Sequence, residues 1–280
     1  MAQSKSWRIG DAELTVSVPE GVADRVRQAW AEARAEVLAA RGGRPRGRAR
    51  GRARAAERTR QGLSAERIVD VAIEQMREHG YDAVTMRSIA KALDTGPASL
   101  YAHVANRADL DQLVVGKVTE LLHVPDPDPD RWDEQLLQTL RDMLEVYRSH
   151  RGVARATLGM IPVEPEVWVV SERILALLRA GGVPDQHAAW AVDVLSLLVA
   201  SVAVEEDIWV QRSAAQSGGL SEEATVAEVR EIFANLPREH FPLLTSMAGV
   251  LTAGSGDERF EFAITMMVEG LKAFSAPTTG

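Results

Sequence analysis

Residues 85–110 read TMRSIAKALDTGPASLYAHVANRADL, and this stretch constrains the fold more than any other. Two short helical patterns flank Gly96-Pro97, each below the roughly 12–15 residues that an isolated helix needs to persist in water. Neighbouring helices must therefore hold the pair, and the flanking sequence supplies them. Ser64 can cap a helix in which Ile68, Ala72, Ile73 and Met76 share a face, and Gly80 ends it. Thr85 caps a second helix with Ile89 and Leu93 on one side. Asp94-Thr95-Gly96 makes the turn, and Pro97 stands at a first helical position, where a missing amide hydrogen is tolerated. The third helix runs from Pro97 to about His103 with Leu100 inward. Asn106 caps a fourth, with Asp109 in its first turn and a buried stripe of Leu110, Leu113, Val114, Val118 and Leu121. Two short helices joined by a tight turn and braced by a third form a helix-turn-helix, whose second member lies in a major groove.

Charge is segregated along the chain. Net charge is −8 over 280 residues, yet residues 41–107 hold 14 Arg/Lys against 7 Asp/Glu, and residues 108–280 hold 13 against 27. A basic segment on an acidic body suits polyanion binding at one end, and a solvated linker beside an acidic surface would give the same balance. Aromatic residues are only 5% of the chain, and there is no cysteine, which excludes disulfides, thiolate metal sites and cysteine nucleophiles. The opening MAQSKSWRIGDAEL has no apolar core of signal-peptide length, and the apolar run from Val194 to Val204 is shorter than the roughly 20 residues a bilayer requires. The expectation is a soluble cytoplasmic protein with no membrane partner.

The first 62 residues differ from the rest. In residues 1–40, Trp7 and Ile9 precede Gly10-Asp11, after which Leu14, Val16 and Val18 alternate with polar residues, the pattern of a half-buried strand after a tight turn. Val22, Val26, Trp30 and Val37 then recur near helical spacing, so a small strand-helix unit is expected. Residues 41–62, RGGRPRGRARGRARAAERTRQG, set nine arginines against the single acid Glu57 and cannot bury a core. Arg44, Arg46 and Arg48 are candidate DNA contacts, either through minor-groove insertion around the Gly43-Arg44-Pro45-Arg46 core, which resembles an AT-hook, or through phosphates alone.

The remainder reads as helices: residues 132–150, 164–180 stopped by Gly181-Gly182, 186–210, 222–235 and 257–274, with residues 211–220 as a loop. The helix from Gln186 is apolar nearly all round between Ala188 and Val204, so it must be covered on more than one side.

From residue 67 to residue 114, RIVDVAIEQMREHGYDAVTMRSIAKALDTGPASLYAHVANRADLDQLV resembles the DNA-binding head of the TetR family of bacterial transcriptional regulators along its whole length. HRGVARATLGMIP and VLSLLVASVAVEED are similar to segments of the tetracycline-repressor branch that line its ligand cavity. The resemblance implies an all-α protein. Its parts are a helix-turn-helix domain (63–108), a connecting helix (109–124) that ends at His123, and a ligand-binding and dimerisation domain (125–280). It implies DNA contacts from Thr85, Arg87, Thr95, Ala98, Ser99, Tyr101, His103 and Arg107. Pro97 and Ala98 stand where larger polar readers are used in relatives, which shifts work toward phosphates and DNA shape. It implies a ligand site from His123, Thr139, Met143, Thr157, Met160, Ile161 and Arg173, and a four-helix dimer interface using Val194, Leu197, Leu198, Ala263, Met267, Leu271 and Phe274. Where the tetracycline-binding relatives use a histidine toward a magnesium-bound drug, this chain has Thr157, a poor metal ligand. The expectation is therefore no metal and no cofactor, with a more apolar inducer.

Two other classes remain beside a homodimeric, inducer-released repressor on a palindromic double-stranded operator. A helical enzyme lacks support, since no phosphate loop, zinc signature or nucleophile elbow is present. An architectural nucleic-acid protein would rest on the arginine arm, and it would protect DNA without a preferred palindrome.

Overall fold

The computed structural model describes residues 3–9, 12–18, 63–215 and 222–275. The chain divides into two compact units, residues 1–58 and 59–280. In the first, strands β1 (Gln3–Ile9) and β2 (Ala12–Val18) pair antiparallel with Trp7 opposite Leu14 and Ile9 opposite Ala12, which leaves Gly10-Asp11 as the connection. A two-residue link is what a tight hairpin needs. The expected helix after Pro19 and the arginine arm lie outside the described residues.

Every regular element described in the second unit is a helix. The head comprises α1 (Ala65–His79), a single 3₁₀ turn (Tyr81–Ala83), α2 (Met86–Ala92), α3 (Pro97–Leu100) and α4 (Arg107–Thr119). The body comprises α5 (Trp132–Ser149), α6 (Val153–Thr157), α7 (Pro165–Ala180), α8 (Asp185–Ala215), α9 (Glu222–Ala234), α10 (Pro242–Ser246), α11 (Ala248–Leu251) and α12 (Gly256–Ser275). One apolar cluster runs through both parts, from Ile68, Met76, Ile89, Leu100 and Leu110 to Leu136, Leu144, Leu177, Val199 and Ile264.

Three boundaries differ from the sequence reading. The third helix closes at Leu100, and residues 101–103 are turn. The fourth ends at Thr119, so the expected connecting helix over 109–124 is shorter: Leu121 is exposed and His123 sits in a non-helical stretch. Pro125, Pro127 and Pro129 follow at alternate positions, and each holds the residue before it in extended backbone. Conversely, α8 continues through Gln211, Arg212 and on to Ala215, where a loop was expected; Gln, Arg and Ala are good helix formers. Residues 216–221 lie outside the described set.

Candidate nucleic-acid interface

The start of α2 is fixed by reciprocal capping. Thr85 Oγ1 accepts from the Ser88 amide at 3.0 Å, and the Thr85 amide donates to Ser88 Oγ at 2.9 Å. Gln75 on α1 doubles the anchor: its Nε2 donates to the Ser88 carbonyl at 3.2 Å, and its Oε1 accepts from Ser88 Oγ at 2.7 Å. The turn into α3 carries Asp94 at φ 48°, a left-handed conformation that Asp tolerates through its short polar side chain. Gly96 then precedes Pro97, and Leu100 and Val104 are fully buried beneath the turn. Burial of one such side chain is worth about 1.5–3 kcal/mol, enough to seat a four-residue helix that would not form alone.

What this frame presents outward is Thr85, Arg87, Ala98, Tyr101 and His103, all exposed, with Thr95 and Ser99 half-buried beside them. Arg87 and Tyr101 are both exposed, Tyr101 to 46%.

Arg107 differs from the expectation. Its Nε donates to Asp111 at 2.8 Å, its Nη1 to the Val84 carbonyl and its Nη2 to the Tyr81 carbonyl at 3.3 Å. All three guanidinium nitrogens are thus engaged within the head, so Arg107 holds α4 against the segment that leads into α2. Asp111 completes the cluster by accepting from the Tyr81 hydroxyl at 2.7 Å. Burial and the neighbouring carboxylate push the Tyr81 phenol above its ordinary value. Gln75, Ser88 and Asp111 were not singled out from the sequence: Ser88 and Asp111 each have one partner within four residues, but the links Gln75–Ser88 and Tyr81–Asp111 span 13 and 30 positions.

Electrostatics refine the charge reading too. Residues 63–107 contain five Arg/Lys and six Asp/Glu, so the positive excess of the N-terminal half lies in the arm. Several head acids are paired off the α2–α3 side: Lys117 on α4 holds Asp70, and Glu74 holds Arg77.

In the body, the candidate ligand residues are spread over several elements: Thr139 and Met143 lie one turn apart on α5, Thr157 closes α6, and Arg173 is on α7. Thr139 is buried and donates to the Gln135 carbonyl of its own helix at 2.8 Å, and Thr157 Oγ1 donates to the Ala154 carbonyl at 2.7 Å. Thr157 also contacts the hydroxyl of buried Tyr147, whose phenol burial pushes up to about 12. Met143 and Met160 pack against the core, His123 is exposed, and Ile161 is 82% exposed. Arg173 donates to the Val124 carbonyl at 2.8 Å. Two open grooves occur elsewhere. One of about 500 Å³ lies among Arg148, Glu206, Trp209, Asp257 and Phe260. The other, of about 390 Å³, is apolar and lies between α8 and α12, lined by Trp190, Val194, Met267, Leu271 and Phe274. None of the seven candidates lines either groove.

The apolar groove belongs to a larger exposed face. Val194, Leu197 and Phe274 are exposed as expected for an interface, and Trp190, Phe262 and Met266 join them; Leu271, by contrast, is buried in the chain's own core. The stretch Asp185–Arg212 of α8 is also long and apolar enough to cross a membrane by length and composition, more than the run from Val194 to Val204 suggested. Its exposed Trp190 and Val194 flank the apolar groove together with Phe274 of α12.

Two sequence families match. The pattern described as "Bacterial regulatory proteins, tetR family" matches residues 68–111, and "Tetracyclin repressor-like, C-terminal domain" matches residues 124–274. The chain belongs to the TetR family. Among solved structures, family member ActR from Streptomyces coelicolor in complex with (S)-DNPA is 36% identical, with TM-score 0.67 over 76% of this chain and 99% of that one. ActR with actinorhodin is 35% identical, with TM-score 0.68 over 77% and 99%. Among curated relatives, the HTH-type transcriptional repressor DrrR1 of Streptomyces coeruleorubidus is 24% identical over 78% of this chain and 80% of its own length. The class A tetracycline repressor from transposon 1721 of Escherichia coli is 26% identical over 75% and 90%. The two patterns cover residues 68–111 and 124–274, so the hairpin and the arginine arm lie outside both.

A magnesium-bound ligand does not fit the donors present. Thr157, which stands where the tetracycline-binding relatives have the histidine, is a poor metal ligand and donates its hydroxyl hydrogen to the Ala154 carbonyl.

Proposed function

We propose that the protein is a homodimeric transcriptional repressor that leaves a palindromic operator when its body binds a small, largely apolar molecule. The observation that carries the DNA half is the head: a doubly capped α2 and a Pro-initiated α3, with Arg87, Tyr101 and His103 exposed around them. Thr85, Arg87, Thr95, Ala98, Ser99, Tyr101 and His103 meet the operator in this reading, and Arg107 positions them from behind. Two-fold operators are read by two heads, and the exposed apolar face of α8 and α12 supports a second copy as its cover.

The inducer is of the class named for ActR, actinorhodin or (S)-DNPA, more than a metal-chelated drug. DrrR1 and the tetracycline repressors, both named as repressors, favour repression over activation here. Binding operator DNA places the protein in the cytoplasm, and it is a regulator and not an enzyme.

Selection of binding sites from random DNA tests the reading. Recovery of one palindrome, with footprint release by an ActR-type ligand, is the expected result. Protection of DNA without a preferred palindrome would replace this reading with an architectural one.

A further inference from the structure

The head is joined to the body through α4, but it also rests on the body at two glycines. Gly80, which ends α1 at φ 82°, lies against the Gln211 amide near the C-terminal end of α8: a methyl group on Gly80 would stand 2.5 Å from Gln211 Nε2. Gly152, at φ 87°, lies against Met76, and a methyl group there would meet Met76 Cβ at 3.1 Å and the Tyr81 amide nitrogen at 3.3 Å. Both backbones are left-handed, which disfavours any side chain; at Gly152 the Met76 and Tyr81 backbone adds a steric limit, whereas the Gln211 amide beside Gly80 is the movable end of a side chain. The Gly152 amide donates to Asp207 of α8 at 2.7 Å. From the short helix that Gly152 opens, Arg155 reaches Asp82 at 3.5 Å.

We infer that Asp207 and Gln211 are positioning residues through which α8 sets the angle of the head on the body, in parallel with the covalent link through α4. Asp207 pins the start of α6, α6 touches the 3₁₀ turn ahead of α2, and Gln211 seats the end of α1. The N-terminal half of the same helix carries Trp190, Val194 and Leu197 of the exposed apolar face. A helix of 31 residues rising 1.5 Å each is roughly 45 Å long, and so joins that face to the head as one rigid element.

The chain has no cysteine, so spin labels placed at Glu78→Cys on α1 and Glu172→Cys on α7, both exposed, report the head-to-body distance by pulsed electron resonance after dilution with unlabelled chain. Asp207→Ala with Gln211→Ala is expected to shift and broaden that distance and to weaken operator binding by roughly 2- to 30-fold. Asp207→Asn, whose amide oxygen still accepts the Gly152 hydrogen, is expected to keep the wild-type distance. A folded double variant with the wild-type distribution overturns the inference; should it fail to fold, Gln211→Ala alone, at an exposed position, makes the same decision. The distance measurement needs neither operator nor inducer, so its outcome is separate from that of the repressor reading.

Discussion

The Arg107 guanidinium lies 4.1 Å from the centre of the Tyr81 ring, and the two residues share one carboxylate, Asp111, at 2.8 and 2.7 Å. Cation, ring and anion thereby join α4 to the turn that precedes Thr85. Arg107→Lys keeps the charge but not the planar fork that serves Asp111 and two carbonyls. It should lower unfolding stability by about 1–3 kcal/mol, in the range for hydrogen bonds to charged groups. Tyr81→Phe removes one donor and should cost about 1 kcal/mol. Urea denaturation followed by circular dichroism measures both, and wild-type midpoints would remove the cluster from the account of head stability.

This cluster marks the limit of what the sequence made legible. Caps at Ser64, Thr85 and Asn106, the stop at Gly80 and the inward Leu100 were readable, because capping and periodicity act within a few residues. Arg107 was read as a DNA contact; Asp111 stands one turn along the same helix, but Tyr81 and Val84 become its neighbours only after the head folds. The same reason hid α6, α10 and α11, helices of five, five and four residues whose stability comes from packing and not from pattern. The ligand residues were carried by resemblance alone; of these, Thr139, Thr157 and Arg173 each donate to a backbone carbonyl.

Arg87 and Tyr101 should dominate operator recognition by the head. Both are exposed, and neither belongs to the core. Loss of a bidentate base contact costs about 1–3 kcal/mol, so Arg87→Ala should weaken binding to the selected operator by that amount with the melting temperature unchanged. Tyr101→Phe should weaken it less, through one phosphate. Wild-type binding by both variants would remove these residues from the interface.

Trp132 covers Gly181 so closely that a methyl group there would stand 2.2 Å from the indole ring. Gly181 has φ −77°, an ordinary value, so the requirement for glycine is steric alone. Gly181→Ala must displace the ring or the α7–α8 turn, an overpacking that costs about 1–3 kcal/mol. For a unit of this size that corresponds to a fall of roughly 2–4 °C per kcal/mol. Calorimetry checks it, and an unchanged melting temperature would show that the ring has room to move.

Acid should loosen α12 from α5. Lys272 beside Asp133, and Arg141 paired to Glu261 at 2.6 Å, hold both carboxyls below their ordinary values of 3.8 and 4.5. A depressed carboxyl contributes stability that is complete above its unfolded value and lost as pH falls through its folded value. Stability should therefore decline from about pH 4.5 downward. Both pairs are partly exposed, so each contributes only about 0.2–1 kcal/mol. Asp133→Asn with Glu261→Gln should flatten this acid limb in thermal unfolding measured from pH 6 to 3; an unaltered limb would place the acid sensitivity elsewhere.

The arginine arm should supply most of the electrostatic attraction to DNA. Residues 63–107 carry five basic against six acidic residues, whereas residues 41–62 set nine arginines against Glu57. A head without positive excess gains little from the phosphate backbone, whose neutralisation dominates the strength of most complexes. The arm immediately precedes Leu63 and α1, so each dimer would bring two of them to the flanks of the operator. Each neutralised phosphate steepens the dependence of log affinity on log salt by about 0.9. Deleting residues 1–60 should therefore weaken operator binding, flatten the slope by several units and leave the preferred palindrome intact. Minor-groove entry by Arg44, Arg46 and Arg48 would make the loss larger with A·T-rich flanks than with G·C-rich ones, because a narrow groove concentrates negative potential. Equal losses would assign the arm to phosphates alone. A truncated dimer with the full-length affinity and salt slope would show that the arm does not touch the operator, and the hairpin of Gln3–Ile9 and Ala12–Val18 would then be the feature it serves.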